Sequence, residues 1–493
     1  MTKVTFRNPV LAGDRPDPAV IKVGDEYWMT YSSFEAAPGL LLYRSRDLVN
    51  WTYECAALPE PVGNTFAVDI AEHDGHFYIY IPFIPTPWST LTDASIFVIH
   101  APAMSGPWSE PIDLGIRGAI DPGHVVGEDG RRYLFVSGVR RIALADDGLS
   151  TIGELEHVYD GWRYPDEWVT ESYALEGPKL FRKDGWIYLV SAVGGTAGPP
   201  TGHMVIVARS RSVHGPWENH PRNPIARTTE AAERWWSRGH ATLVPGPARA
   251  DDSDWWMVSH GYENGYRTLG RQILLEPIRW SEDGWPEAAL ADPGAEIEVP
   301  SGADGQRPPV EFEDDFSTLL LGERWAFHAP SRGEAGRIRV EDGMVMAGKG
   351  TSPADTSPLA MLTGDHSYEV EVELTLESAG VEAGLLLFFN NRLSCGMGID
   401  VERMLSYSGG MRTHWREPVP SSDRIALRIR NDQHIVTGWY RLPDGEWIRH
   451  AVRYETSGYH ANTIGDLLSL RPALYATGNG SARFRNFRYR PLP

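Results

Sequence analysis

The stretch KDGWIYLVSAV, residues 183–193, couples an Asp-Gly pair to an alternating run of aromatic and β-branched residues. Asp-Gly supplies the positive-φ positions of a tight hairpin turn, and the run behind it has the period of a strand. The same pattern, a turn rich in Asp and Gly and then such a run, stands at VGDEYWMTYSS (23–33), HDGHFYIYIPF (73–83), EDGRRYLFVSG (128–138) and DDSDWWMVSHG (251–261). A companion of strand, polar turn and tryptophan follows several of them: LLYRSRDLVNW from Leu41, FVIHAPAMSGPW from Phe97 and VIVARSRSVHGPW from Val205. Hairpins recurring roughly every 50 to 70 residues without an intervening helical period predict a propeller, one blade per unit and five blades in all. A β-sandwich or β-helix also spaces its strands evenly and is the competing architecture. The one helical expectation is TTEAAERWW from Thr228, placed in a loop between blades.

Beyond LLEPIRWSEDGWP the texture changes. DPGAEIEVPSGADGQRPPV, from Asp292 to Val310, is rich in Pro, Gly and acidic residues and reads as a linker. In YEVEVELTLE, Tyr368, Val370, Val372, Leu374 and Leu376 share one face while Glu369, Glu371, Glu373, Thr375 and Glu377 share the other, the pattern of a half-buried antiparallel strand. The expected organisation is all-β: a propeller over residues 1–295, a linker over 296–310 and a β-sandwich over 311–493.

With 493 residues the chain exceeds one ordinary core. A formal charge of −20 argues against nucleic acid and anionic membrane surfaces as partners. The two cysteines, Cys55 and Cys395, fall in different expected domains, which gives no disulfide framework. No apolar run is long enough to cross a bilayer and the N-terminus lacks an apolar leader core, so the expectation is a cytoplasmic protein.

A propeller brings residues distant in sequence to one channel. Three carboxylates beside Pro or Gly open the first, third and fourth units: Asp17 in RPDPAV, Asp121 in GAIDPGHV and Glu176 in YALEGPKL. Singly, an Asp before Pro is a common turn starter. Together they suit a reaction that needs one protonated acid and one ionised base, with a third carboxylate raising the acid's pKa by like-charge repulsion. The prolines flanking Asp17 remove backbone freedom around it.

These segments carry a family resemblance. NPVLAGDRPDPAVIKVGDEYWMTYSSFEAAPGLLLYRSRDLVNW, AIDPGHVVGEDGRRYL, ALEGPKLFRKDGWIYLV and LGRQILLEPIRW resemble, in order, the motif segments of glycoside hydrolase family 43, five-bladed propeller enzymes that include β-xylosidases and α-L-arabinofuranosidases. The stretch beginning FEDDFSTLLLGERWAFHAP resembles the concanavalin-like jelly-roll sandwich of the family's β-xylosidase group. The resemblance implies Asp17 as general base, Glu176 as general acid, Asp121 as the orienting, pKa-tuning carboxylate and Arg271 as a sugar-binding guanidinium. It implies an aromatic sugar platform at Phe34. His240 matches a family histidine that in some members helps hold a water-coordinated calcium ion and in others lies close to the sugar. No cofactor is required, and a structural calcium ion is allowed. The implied partner is a small oligosaccharide, and the sandwich group implies a homo-oligomer.

Departures bear on substrate. Ala36 and Ala37 stand where related β-xylosidases carry two aromatics, the WAPD segment becomes FAVD at Phe66 to Asp69, and Trp88 is the substitute wall offered by FIPTPWSTLTDAS. The expected activity is an inverting, exo-acting β-D-xylosidase releasing xylose from non-reducing ends, with α-L-arabinofuranosidase or dual activity as the alternative. A fructan-type retaining enzyme lacks its nucleophile and Glu-Cys motifs here, and a phosphorylase lacks a basic cluster beside Glu176. A sugar-binding lectin would have no need of three carboxylates crowded into one channel.

Overall fold

The computed structural model describes residues 4–86, 89–247, 254–290, 292–300, 302–308, 311–414 and 422–493. Two compact units result: residues up to Arg307 without Ala36–Pro38 and Gly265–Gly270 form the first, and Pro308–Pro493 with those two segments form the second.

Five antiparallel sheets build the first unit. Their innermost strands are Ala19–Val23, Asp69–His73, Gly123–Val126, Glu176–Lys183 and Trp235–Pro245. The second strands, Glu26–Thr30, His76–Ile84, Arg132–Val136, Trp186–Val193 and Trp255–Glu263, are the runs singled out in the sequence. Asp74-Gly75 and Asp184-Gly185 turn with φ of 50° and 75°, and 50° and 73°, as a two-residue hairpin demands. The fifth unit's turn, at residues 251–253, falls outside the described residues.

The second strands are largely apolar on both faces because each is covered on both, one neighbour taking the odd residues and the other the even ones. Trp28 packs toward the second blade, while Tyr27 and Met29 pack toward the fifth. Ile79 and Ile81 face the first blade, Tyr78 and Tyr80 the third. Leu134 and Val136 face back to the second, Tyr133 and Phe135 forward to the fourth. Ile187 and Leu189, then Tyr188 and Val190, repeat the division. Trp256 and Val258 close the circle against Tyr27 and Met29. The ring is thus five interblade cores joined by side chains, sealed by residues 8–15 running beside the last blade, where Val10 N–H donates to Ile273 O at 3.0 Å and Arg15 N–H to Arg271 O at 2.8 Å.

Two expectations are corrected. The linker does not begin at 296: Ile297–Glu298 is a strand paired with Thr5–Phe6, Ile297 is buried beside Phe6, and Arg307 N–H still donates to Asn50 Oδ1 at 3.0 Å. One well-placed isoleucine outweighs a loop-like composition. No helix forms from Thr228. Glu233 Oε1 instead accepts from the backbone N–H of Thr229 and of Glu230, closing a turn, and Trp235 begins a strand. A local carboxylate–backbone cap here competes with helix propagation. Among the described residues the one α-helix is Ala461–Ile464.

The second unit is a sandwich of two eight-stranded sheets. Ser367–Leu376 keeps Val370, Val372 and Leu374 at no more than 1% exposure, while Glu371 and Glu373 on the other face meet Arg428 and Arg424. Cys55 and Cys395 are both free thiols.

Candidate active site

The channel residues sit on unusual backbone. Asp17 has φ of 59° and Asp121 of 55°, both immediately before proline. Proline already crowds the residue before it, and left-handed conformation costs a non-glycine residue on the order of 1–3 kcal/mol. Asp tolerates that region better than most residues. His240 at 51° and Phe34 at 46° share the strain, and Gly177 at 62° precedes Pro178. Four such positions at one end of the ring mark where the fold fixes side chains against local preference.

Asp17, with a side chain 8% exposed, accepts from Arg271 Nη1 at 2.9 Å on Oδ1 and from Ser32 Oγ at 2.6 Å on Oδ2. Burial pushes this carboxyl up, but Arg271 and then His240 outweigh it and hold Asp17 well below the usual carboxylate range. Arg271 Nε and Nη2 are buried and have no hydrogen-bond partner. Asp121 Oδ2 accepts from Gly177 N–H at 3.1 Å and lies 3.4 Å from His240 Nε2. Gly177 is needed twice over, because a Cβ there would come within 2.8 Å of His240 Nε2. Burial, and next the Asp121 carboxylate, push Glu176 up to about 8. The Glu176 side chain keeps 22% exposure against 4% for Asp121, so it is the acid with the most open approach. Burial pulls His240 down, yet Asp17, Asp121 and Glu176 together leave it above the ordinary histidine value. Near neutral pH the pair is therefore an ionised Asp17 and a protonated Glu176.

Phe34 is 6% exposed, stands edge-on to Phe66 at 5.3 Å and lies 5.5 Å from the Arg271 guanidinium carbon. It borders the site, but most of its ring is packed. Trp88 lies outside the described residues. Asp69, of the FAVD departure, accepts from the buried Lys179 Nζ at 2.9 Å, and Lys179 also donates to Pro122 O at 3.2 Å. This ammonium ties the second, third and fourth blades together behind Asp121.

Three contributors escaped the sequence reading: Ser32, His203 and His260. His260 Nδ1 accepts from Asp17 N–H at 2.9 Å, its Nε2 lies 3.3 Å from His203 Nδ1, and His203 Nε2 lies 3.3 Å from Glu176 Oε1. A histidine within or beside an apolar strand reads as core, and nothing in the sequence set His203 and His260 apart from the other histidines of the last two blades. Calcium takes six to eight oxygen ligands, whereas His240 offers one free nitrogen, Nδ1. Among the described residues no group of three His, Cys, Asp or Glu could hold a metal ion. The residues do not fit a directly ligated calcium, and no step below uses one.

A propeller channel with a charge-paired carboxylate facing a protonated one defines a class, acid–base sites gathered from separate blades, and comparison with known proteins places the chain within it. The family model for glycosyl hydrolases family 43 matches residues 6–286. The chain is 32% identical over 351 residues to non-reducing end alpha-L-arabinofuranosidase BoGH43B of Bacteroides ovatus, covering 66% of this chain and 62% of that protein. It is 32% identical over 377 residues to xylan 1,3-beta-xylosidase of a Vibrio species, covering 65% and 66%. The matched stretch thus spans under two thirds of the length of either relative. A putative beta-xylosidase of Escherichia coli K12 is 27% identical over 525 residues, with 93% of each chain covered. Among solved structures, the GH43 BlXynB protein of Bacillus licheniformis superposes with a TM-score of 0.86 at 24% identity over 99% of this chain and 100% of that one, a likeness of fold. The chain belongs to glycosyl hydrolases family 43.

Proposed function

We propose that the protein is an inverting, exo-acting glycoside hydrolase, a β-D-xylosidase that releases xylose from the non-reducing end of short xylo-oligosaccharides. The observation that carries this reading is the gathering of three carboxylates from separate blades, Asp17 bound by Arg271 Nη1 at 2.9 Å, Asp121 by Gly177 N–H at 3.1 Å, and Glu176 beside them with the more open side chain. Asp17 takes a proton from water as the water oxygen bonds to the anomeric carbon. The glycosidic C–O bond breaks with its electron pair leaving on oxygen, and Glu176 delivers its proton there. Asp121 keeps Glu176 protonated. The unpartnered Nε and Nη2 of Arg271 supply fixed donors for the sugar hydroxyls.

α-L-Arabinofuranosidase activity is the second reading, favoured by Ala36 and Ala37 where related xylosidases are aromatic and by the name of the Bacteroides relative. Release of 4-nitrophenol from β-D-xyloside and α-L-arabinofuranoside separates the two, and sugar binding without turnover of any glycoside overturns both in favour of a lectin. Glu176→Ala is expected to lose most activity on poor leaving groups and keep some on activated aryl glycosides, whereas Asp17→Ala gains little from a better leaving group. Equal losses on both substrate types in Glu176→Ala refute the acid assignment.

A further inference from the structure

The histidines beside the acid form an ordered chain. A backbone amide can only donate, so Asp17 N–H at 2.9 Å makes His260 Nδ1 an acceptor and leaves that ring's proton on Nε2. Oδ1 of Asp17, 3.2 Å from the same nitrogen, is bound by Arg271 instead. His260 Nε2–H then points to His203 Nδ1 at 3.3 Å, with Thr196 Oγ1 at 3.4 Å as a second neighbour. With Nδ1 accepting, the His203 proton also sits on Nε2, a buried nitrogen that has no hydrogen-bond partner and lies 3.3 Å from Glu176 Oε1.

We propose that His203 and His260 are positioning residues for the acid: a fixed-tautomer pair of neutral imidazoles that donates one N–H to Glu176 Oε1, so that the transferable proton stands on Oε2. This inference rests on the general-acid reading of Glu176. The rings are held rigidly, fully buried and 5.2 Å apart at 30° between planes. Gly239 permits this, since a Cβ at that position would lie 2.2 Å from His203 Nδ1. Burial first, with His240's charge for His203 and Arg271's for His260, pushes both imidazoles down to about 3, so each stays uncharged while the enzyme works. A neutral donor suits the task. It strengthens as charge develops on Glu176 during proton transfer, without the depression of acidity range that a cation at the same place would impose. The other groups acting on Glu176 are Asp121, Asp17, His240 and Arg271.

The test compares wild type, His203→Phe and His203→Gln by kcat and kcat/KM on xylobiose and on 2,4-dinitrophenyl β-D-xyloside across pH. Phenylalanine keeps the ring beside Gly239 and removes the donor; glutamine restores an N–H. His203→Phe is expected to lower kcat on xylobiose on the order of 10- to 100-fold, the worth of one hydrogen bond to a charged group, with a loss of about threefold or less on the dinitrophenyl substrate. Losing a donor destabilises the carboxylate, so the alkaline limb moves to higher pH while the acid limb, set by Asp17, stays. His203→Gln recovers most of both effects. A uniform loss on both substrates with an unmoved alkaline limb overturns the proposal. If the variants do not fold, nitrogen-15 spectra of histidine-labelled wild type decide: neutral Nε2–H tautomers at both positions from pH 5 to 8 are expected, and a doubly protonated or Nδ1–H ring at either overturns it. Glu176→Ala read in parallel separates the two ideas. If it shows no leaving-group dependence, the acid reading itself fails; if it does and His203→Phe does not, only the positioning role fails.

Discussion

Replacing Asp121 by Asn tests how the acid is kept protonated. The substitution preserves shape, and the Asn carbonyl can still accept from Gly177 N–H at the position where Oδ2 does so at 3.1 Å. What it removes is one negative charge, held about one peptide unit from Glu176. Two unit charges a few ångströms apart at an effective dielectric near 20 repel by on the order of 3 kcal/mol, or about 2 pH units. His240 offsets part of this, because it owes some of its raised pKa to the same Asp121 and surrenders its proton sooner once that charge is gone. The net expectation is that Glu176 falls from about 8 by one to two units. The sign follows from charge: with less repulsion the carboxylate forms at lower pH and the acid is lost earlier. The assay is the pH dependence of kcat/KM on xylobiose, whose alkaline limb reports the free-enzyme acid. On 2,4-dinitrophenyl β-D-xyloside, which needs little proton donation, the shift should nearly vanish. An alkaline limb that stays in place or rises on xylobiose refutes the role given to Asp121.

The raised Glu176 is also a stability statement. Its contribution is fully present below about 4.5 and is lost as pH rises to about 8, so Glu176→Gln should match wild type near pH 4 and exceed it by roughly 3–5 kcal/mol at pH 9, read by denaturant midpoints; a gap that does not widen with pH contradicts this. Gly177→Ala combines a φ of 62° with a Cβ within 2.8 Å of His240, and should cost at least about 1–2 kcal/mol and lower kcat together. Unchanged denaturation and turnover would show that neither constraint operates.

The blades were legible because a turn rich in Asp and Gly recurs before each second strand, followed by aromatic and aliphatic residues such as Tyr133, Leu134, Phe135 and Val136, all of which are buried. The three carboxylates were legible from their Pro and Gly neighbours, though the left-handed backbone of Asp17 and Asp121 was not; it goes with tertiary contacts such as Asp17 N–H to His260. His203 and His260 were hidden for a physical reason, since burial demands an apolar-looking neighbourhood and a neutral imidazole satisfies it. Ile297 misled in the opposite direction: its pairing partner, Phe6, lies almost the whole propeller away in sequence, and no local window contains both.

Asp17 stands at the start of the first blade, while its counter-ion Arg271 and its backbone acceptor His260 belong to the last. Catalytic competence is therefore written across the joint where the circle shuts. An intermediate lacking its final blade would hold Asp17 with neither the guanidinium nor the imidazole that fix its place. Turnover becomes a gauge of completed folding, silent until the chain's two distant stretches have met.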